Sequence, residues 1–200
     1  MIVIGIKGYI GAGKTTAARY LIENHGFVRG RFAGALKDML RAYLIYRGCT
    51  PAMVERMIEG DLKDKPTAWL GGRSPRYAME GLGGAWGRDY MGADFWIDTE
   101  ADKLSAENPT RVVVEDTRHA NEGEWIDATG GMVIEIARPG LVPQDHRTEH
   151  AQLAVKARRQ ILNHDGDLAS TYRQIDIVVQ DLVAKNATIG LLPVQTQPLR

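Results

Sequence analysis

Apolar residues along the chain alternate between two spacings, and the alternation predicts an α/β fold. Short apolar runs at residues 2–6, 111–116 and 132–137 are typical of buried parallel strands, and residues 27–32 and 161–163 are weaker strand candidates. Helical spacing of apolar residues occupies the segments between them, at 15–24, 33–47, 51–59, 76–91, 93–107, 121–129 and 168–184. We therefore expect a three-layer domain, with helices on both faces of a parallel sheet.

One predicted helix, residues 76–91, contains four glycines at positions 81, 83, 84 and 87. A glycine inside a helix costs about 1 kcal/mol relative to alanine. We expect either that another group approaches the backbone closely here or that the helix breaks.

Length and charge restrict the class of protein. The 200 residues suit one domain, and Lys plus Arg equals Asp plus Glu at 25 each. A sequence-independent nucleic-acid binder would show a basic excess, so we expect no nucleic-acid partner. One cysteine, no signal-peptide pattern and no long apolar stretch lead us to expect a soluble, cytoplasmic protein without a membrane partner. Homodimerisation stays open.

The segment 8–15 carries the clearest chemistry, because it fits G-x-x-x-x-G-K-[ST] between a predicted strand and a predicted helix. Backbone N–H groups of such a loop bind phosphate oxygens, aided by the positive end of the helix dipole. Lys14 can reach the β- and γ-phosphates, and the Thr15 hydroxyl can ligate Mg²⁺. We expect ATP and Mg²⁺ as cofactors. The predicted ATP-binding residues are Gly8, Tyr9, Ile10, Gly11, Ala12, Gly13, Lys14, Thr15 and Thr16.

A carboxylate on the metal side should complete this site. Asp116 follows three valines, and the carboxyl ends of parallel strands border the ligand crevice. Glu115 is the alternative, although strand alternation would turn it the other way. Asp116 is therefore the predicted partner of Thr15 in metal binding.

The segment between the first helix and the valine strand, residues 25–110, is rich in Arg, Trp and Gly, which suits a second substrate. Arginine binds phosphate oxygens in a bidentate manner, and aromatic rings can stack on a base. The candidates are Lys37, Trp69, Arg73, Arg76, Tyr77, Trp86, Arg88 and Trp96.

Two arginines, Arg138 and Arg147, flank a Pro-Gly turn after the strand at 132–137. A lid that closes would bring them onto the transferring phosphoryl group. The same region contains His146-Arg-Thr-Glu149-His150, which fits the zinc motif H-x-x-E-H. No glutamate follows Glu149 to act as the usual third ligand, so we do not expect zinc.

Four segments resemble the bacteriophage deoxynucleoside monophosphate kinases. They are SPRYAMEGLGGAWGRD at 74–89 with DFWI at 94–97, VEDTRHANE at 114–122, FAGALK at 32–37, and HRTE at 146–149. The resemblance spans about residues 1–182. It implies a P-loop kinase of the nucleoside monophosphate kinase type, and a monophosphate site that contains Lys37, Arg76, Arg88 and Arg118.

From the residues and the resemblance together, we expect a deoxynucleoside monophosphate kinase with Lys14, Asp116, Arg138 and Arg147 as catalytic residues. The predicted layout is one P-loop kinase domain at 1–188, with a monophosphate-binding insertion at about 33–92, a lid at about 138–158 and a tail at 189–200. Two alternatives stay open. One is another small-molecule P-loop kinase, for a coenzyme precursor or a ribonucleotide, and the other is a non-enzymatic nucleotide switch or ATPase.

Overall fold

The chain contains a five-stranded sheet in a computed structural model that describes residues 1–141 and 151–190. The strand order is β2-β3-β1-β4-β5, and β1 is parallel to both of its neighbours, as β4 is to β5. The predicted parallel sheet is confirmed. The strands are β1 (Ile2–Lys7), β2 (Val28–Gly30), β3 (Arg111–Val114), β4 (Met132–Ala137) and β5 (Arg159–Leu162).

Helices connect the strands, as the spacing predicts. They are α1 (Lys14–His25), α2 (Gly34–Tyr46), α3 (Pro51–Ile58), α4 (Pro75–Gly81), α5 (Phe95–Glu107), α6 (Ala120–Ala128) and α7 (Leu168–Gly190). A π-helix, Leu82–Met91, continues α4, and short 3₁₀ turns lie at Ala68–Leu70 and Gln152–Ala154. Within residues 1–141 and 151–190, no helix has both the length and the apolarity needed to cross a bilayer.

The chain divides into two compact units. The first comprises Met1–Arg29 and the residues from Pro109 onward, and the second is Gly30–Asn108. The core of the first unit packs α1 and α7 against the sheet, with Leu21, Ile134 and Ile175 among its fully buried side chains. The predicted insertion, 33–92, falls inside the second unit. Its role in binding a monophosphate stays a prediction.

Close contact with Trp96 accounts for one of the glycines of the π-helix. A Cβ on Gly87 would lie 2.1 Å from Nε1 of Trp96, a side chain that is 2% exposed in the core of the second unit. Trp96 Nε1 also donates to the carbonyl oxygen of Gly83 at 3.0 Å. The expected close approach is therefore confirmed at Gly87, whereas a Cβ on Gly84 would meet no atom within 4 Å.

Three predicted boundaries were wrong. Strand β3 ends at Val114, so Glu115 and Asp116 lie in a turn. Helix α6 begins at Ala120 rather than at residue 121, and the carboxylate of Glu122 accepts the backbone N–H groups that precede the helix. The last helix continues to Gly190, beyond its predicted end at 184, and Ile175, Val178 and Leu182 anchor it on the core.

Candidate active site

Three glycines of the P-loop between β1 and α1, at positions 8, 11 and 13, have a positive φ, and at Gly8 and Gly13 a side chain would also collide with a neighbour. Gly8 and Gly13 have φ angles of 142° and 104°. A Cβ on Gly8 would lie 2.4 Å from the carbonyl oxygen of Ile136, and one on Gly13 would lie 2.4 Å from Nδ2 of Asn163. Any larger residue would displace the loop from β4 or from Asn163.

Helix α1 presents its N-terminus at the end of this loop. Its N-cap is Gly13, no side chain caps the helix, and its first turn contains no acidic residue. The first N–H groups of a helix seek an acceptor outside the helix, and the dipole favours an anion there. This helix end therefore suits a phosphate group.

Lys14 folds back over the loop. Its Nζ atom donates to the carbonyl oxygens of Gly8 at 2.6 Å and Tyr9 at 2.9 Å. The ammonium group is thus held at the loop, where it can exchange a carbonyl contact for a phosphate oxygen.

A cavity of about 440 Å³ opens beside the loop. It is bounded by Lys14, Thr15 and Thr16 on one side, by Arg138, and by the segment 163–168 that links β5 to α7. Cavities of about 300–1,000 Å³ accommodate nucleotide-sized ligands. Arg138 lies in this wall, where it forms an ion pair with the exposed Asp165 and a 3.4 Å contact with the carbonyl oxygen of Gly11.

A second cavity, of about 20 Å³, also borders Lys14. Its wall includes Gly8, Glu115, Arg118 and Gln152, so the predicted substrate residue Arg118 and the P-loop lysine border the same space. Room for about one oxygen atom remains there. Two cations beside such a space suit one oxygen of a phosphoryl group.

Glu115, rather than Asp116, is the acid that borders this small cavity. Its Oε1 atom lies 3.2 Å from Nε of Arg29, while Oε2 is buried and has no hydrogen-bond partner in the described part of the chain. Asp116 is half-buried, has an interaction partner of its own, and lines neither of the two cavities. The choice of metal-side carboxylate therefore stays a prediction.

The donor set of the first unit fits Mg²⁺. Thr15 is exposed at the start of α1, and Glu115 has an unpartnered buried oxygen. Among residues 1–141 and 151–190, no cluster of three or more His, Cys, Asp or Glu side chains could hold a metal ion. Mg²⁺ binds through one or two protein oxygens together with water and substrate phosphates, so Thr15 and Glu115 would be enough to hold it.

Lys37, in the second unit, belongs to a network of ion pairs. Its Nζ atom lies 3.0 Å from each carboxylate oxygen of Glu59, and Arg41 contacts the same carboxylate at 3.3 Å. Burial raises the pKa of Glu59, but the hydrogen bond and attraction of Lys37 outweigh it and leave that pKa below its ordinary value. Glu59 is therefore an anion among cations at neutral pH.

Three more predicted substrate residues are close together in the sequence: Arg73, Arg76 and Tyr77. Their contacts lie at the exposed surface. Arg76 forms a two-point ion pair with Asp64, and the Arg73 guanidinium lies 4.9 Å from the centre of the Tyr77 ring. The Tyr77 side chain is 56% exposed, so it is available to stack on a ligand.

The remaining predicted substrate residues pack against the interior of the second unit. Trp69 and Trp86 are half-buried against its core, and the Trp86 ring meets Phe95 edge-on at 5.5 Å. Arg88 donates to the carbonyl oxygen of Gly83 at 3.0 Å. These three side chains thus make contacts within the second unit, and their role in binding a substrate stays a prediction.

Two curated relatives match nearly the whole chain. A putative deoxynucleotide monophosphate kinase of Acanthamoeba polyphaga mimivirus is 32% identical over 190 residues, covering 88% of this chain and 94% of the relative. The deoxynucleotide monophosphate kinase of Enterobacteria phage T4 is 23% identical over 234 residues, covering 88% of this chain and 97% of the relative. The chain belongs to the deoxynucleotide monophosphate kinase family. The resemblance noted in the sequence is thereby confirmed.

Solved structures that resemble this kinase are more distant. The Thermus thermophilus protein TT1252 has a TM-score of 0.43 at 19% identity, covering 90% of this chain and 97% of its own. An unliganded sugar kinase from Janibacter has a TM-score of 0.41 at 14% identity, covering 91% and 98% respectively. No protein-family model matches the kinase.

Sequence reasoning missed two residues of the kinase that contact the P-loop directly, Gln152 and Asn163. Neither belongs to a recognisable motif, and each is more than 140 residues from its partner in the loop, with separations of 144 and 151. A strand candidate at 161–163 was the one sequence signal near Asn163.

Arg147 and the H-x-x-E-H residues His146, Glu149 and His150 lie outside the described residues, so the structure describes only part of the predicted lid.

Proposed function

We propose that this kinase transfers the γ-phosphoryl group of ATP to a deoxynucleoside monophosphate, giving ADP and a deoxynucleoside diphosphate. The observation that supports this best is the P-loop, where Lys14, the uncapped start of α1 and a 440 Å³ cavity are combined. The names of the two viral relatives support the deoxynucleotide acceptor. Their viral origin also supports the host cytoplasm as the place of action.

The donor triphosphate binds at the P-loop in this proposal. N–H groups of the loop and of the first turn of α1 hold its phosphates, and Lys14 exchanges its carbonyl contacts for them. The remainder of ATP occupies the cavity beside the segment 163–168. Mg²⁺, when bound, neutralises charge on the phosphates, and Thr15 with Asp116 or Glu115 would hold it.

The acceptor monophosphate binds to residues of the second unit in this proposal. Lys37 and Arg76 supply charge for its phosphate, and the exposed Tyr77 ring supplies a surface for its base. Both cations are paired with carboxylates in the structure. The phosphate must therefore compete with Glu59 and Asp64 for them.

The reaction needs no general base in this proposal. The attacking oxygen of a monophosphate is already an anion, so positioning and charge stabilisation can supply the rate. Lys14 and Arg138 border the donor cavity and are proposed to stabilise the transferring group, together with Arg147. Arg138 must first leave its ion pair with Asp165.

A coupled assay of ADP release tests the proposal. Purified protein is mixed with Mg·ATP and each of the four common deoxynucleoside monophosphates, and then with the four ribonucleotides. Turnover should require a deoxynucleoside monophosphate and Mg²⁺, and Lys14→Ala should reduce kcat by orders of magnitude. Turnover confined to ribonucleotides would indicate a different kinase, whereas ADP release indifferent to every acceptor would indicate an ATPase or a nucleotide switch.

A further inference from the structure

Two buried amide side chains contact the P-loop from distant parts of the chain. Gln152 is 5% exposed and Asn163 is 8% exposed, so both are enclosed by the first unit. A buried amide group without a hydrogen-bond partner costs free energy of folding. The hydrogen-bond partner of each amide therefore indicates what that side chain does.

Gln152 holds the first residue of the loop. Its Oε1 atom accepts a hydrogen bond from the backbone N–H of Gly8 at 3.0 Å. Lys7, the last residue of β1, donates from Nζ to the carbonyl oxygen of Val155 at 2.8 Å. The turn that contains Gln152 is therefore attached both to the end of β1 and to the start of the P-loop.

Asn163 holds the other end of the loop. Its Nδ2 atom donates to the carbonyl oxygen of Ala12 at 2.9 Å. Thr171 Oγ1 donates to Asn163 Oδ1 at 3.2 Å, which fixes the orientation of the amide group. The same Nδ2 atom fills the space that a Cβ on Gly13 would occupy.

The two contacts bracket the stretch that must direct its N–H groups at phosphate. Gly8 opens this stretch and Ala12 lies two residues before Lys14, so displacement of either end would change where the N–H groups point. Fixing the loop before ATP binds reduces the conformational entropy that the loop loses on binding.

We propose that Gln152 and Asn163 are positioning residues that hold the two ends of the P-loop in its phosphate-binding conformation. This inference rests on the proposed function, because it takes the P-loop as the ATP site. The two residues use opposite halves of their amide groups. Gln152 must accept a hydrogen bond, and Asn163 must donate one.

This difference in polarity makes the proposal testable with substitutions of nearly equal size. Gln152→Glu keeps an acceptor for the Gly8 N–H group, and Gln152→Met removes it. Asn163→Asp removes the donor and places a carboxylate oxygen against the carbonyl oxygen of Ala12. Leu153→Ala is the control, since Leu153 lies in the same turn as Gln152 and is 64% exposed.

Amide hydrogen exchange of Gly8, followed by NMR in the ligand-free protein, is the first measurement. Exchange should accelerate in Gln152→Met and stay as in the wild type in Gln152→Glu and Leu153→Ala. This comparison involves no substrate, so the carboxylate that Gln152→Glu adds near the phosphates does not disturb it. Equal protection of Gly8 in Gln152→Met and the wild type would overturn the role of Gln152.

Steady-state kinetics with direct ATP titration is the second measurement. Gln152→Met and Asn163→Asp should weaken ATP binding about fivefold to tenfold, as expected for the loss of one hydrogen bond, with less than twofold change in KM for the monophosphate. Equal losses for both substrates, accompanied by a lower Tm, would mean that the amides only stabilise the fold. If the wild type binds ATP but phosphorylates no monophosphate, the proposed function fails while the titration still tests the loop.

Discussion

Lys37 and Glu59 form a symmetrical ion pair in the second unit, with Nζ 3.0 Å from both carboxylate oxygens. Arg41 lies 3.3 Å from the same carboxylate and Arg31 lies 4.0 Å from it. The Glu59 carboxylate thus lies among three cationic side chains, as the phosphate group of a substrate would. The arrangement suggests that Glu59 competes with the acceptor phosphate for Lys37.

Glu59→Gln should therefore lower KM for the monophosphate. Exposed ion pairs are worth about 0.2–1 kcal/mol, so the decrease should be up to about fivefold, with KM for ATP unchanged. Glu55→Gln is the matched control, because Glu55 pairs with Arg41 rather than with Lys37. A higher KM in Glu59→Gln alone would mean that Glu59 orients Lys37 for the substrate.

Arg76→Ala and Arg88→Ala should differ in their effects, although both arginines are predicted to bind the acceptor. Arg76 pairs with the exposed Asp64, so its removal should raise KM for the monophosphate about tenfold to a hundredfold and leave Tm nearly unchanged. Arg88 donates to the carbonyl oxygen of Gly83, so its removal should also lower Tm. Kinetics and thermal unfolding of both variants test this. Equal increases in KM for ATP and for the monophosphate in Arg76→Ala would argue against an acceptor contact.

Asp116→Asn and Glu115→Gln test which carboxylate serves the metal. The sequence favours Asp116, and the small cavity beside Lys14 favours Glu115. Neutralising the carboxylate that serves the metal should raise the Mg²⁺ concentration needed for half-maximal rate. ATP binding measured without metal should change little. A shifted Mg²⁺ requirement in Glu115→Gln alone would correct the assignment to Asp116. An unchanged requirement in both variants would place the metal with other groups.

Gly87→Ala should destabilise the kinase, because the new methyl group would overlap the Trp96 ring. Overpacking of this kind costs about 1–3 kcal/mol, which should be measurable as a lower midpoint in urea unfolding. Gly84→Ala is the control, since a Cβ there meets no atom within 4 Å, and alanine favours a helix. If both variants unfold at the same urea concentration, Trp96 has room to move.

Local patterns in the sequence were sufficient to predict the fold class and the P-loop. Strand β1, the loop and helix α1 lie within residues 2–25, so hydrophobic spacing and one short motif describe them almost completely. The same alternation of strands and helices predicted the parallel sheet. The cost of glycine in a helix predicted the close contact found at Gly87. Boundaries were less accurate where a buried carboxylate, such as Glu122, set the start of a helix.

Contacts between distant segments depended on the tertiary structure. Gln152 is 144 residues from Gly8 and Asn163 is 151 residues from Ala12, and no local pattern marks either contact. The pairing of β1 with β4, and of β4 with β5, brings those segments to the loop. Sequence periodicity shows which residues are buried on a strand. It does not show which strand lies beside it, and that neighbour decides which side chains reach the phosphate-binding loop.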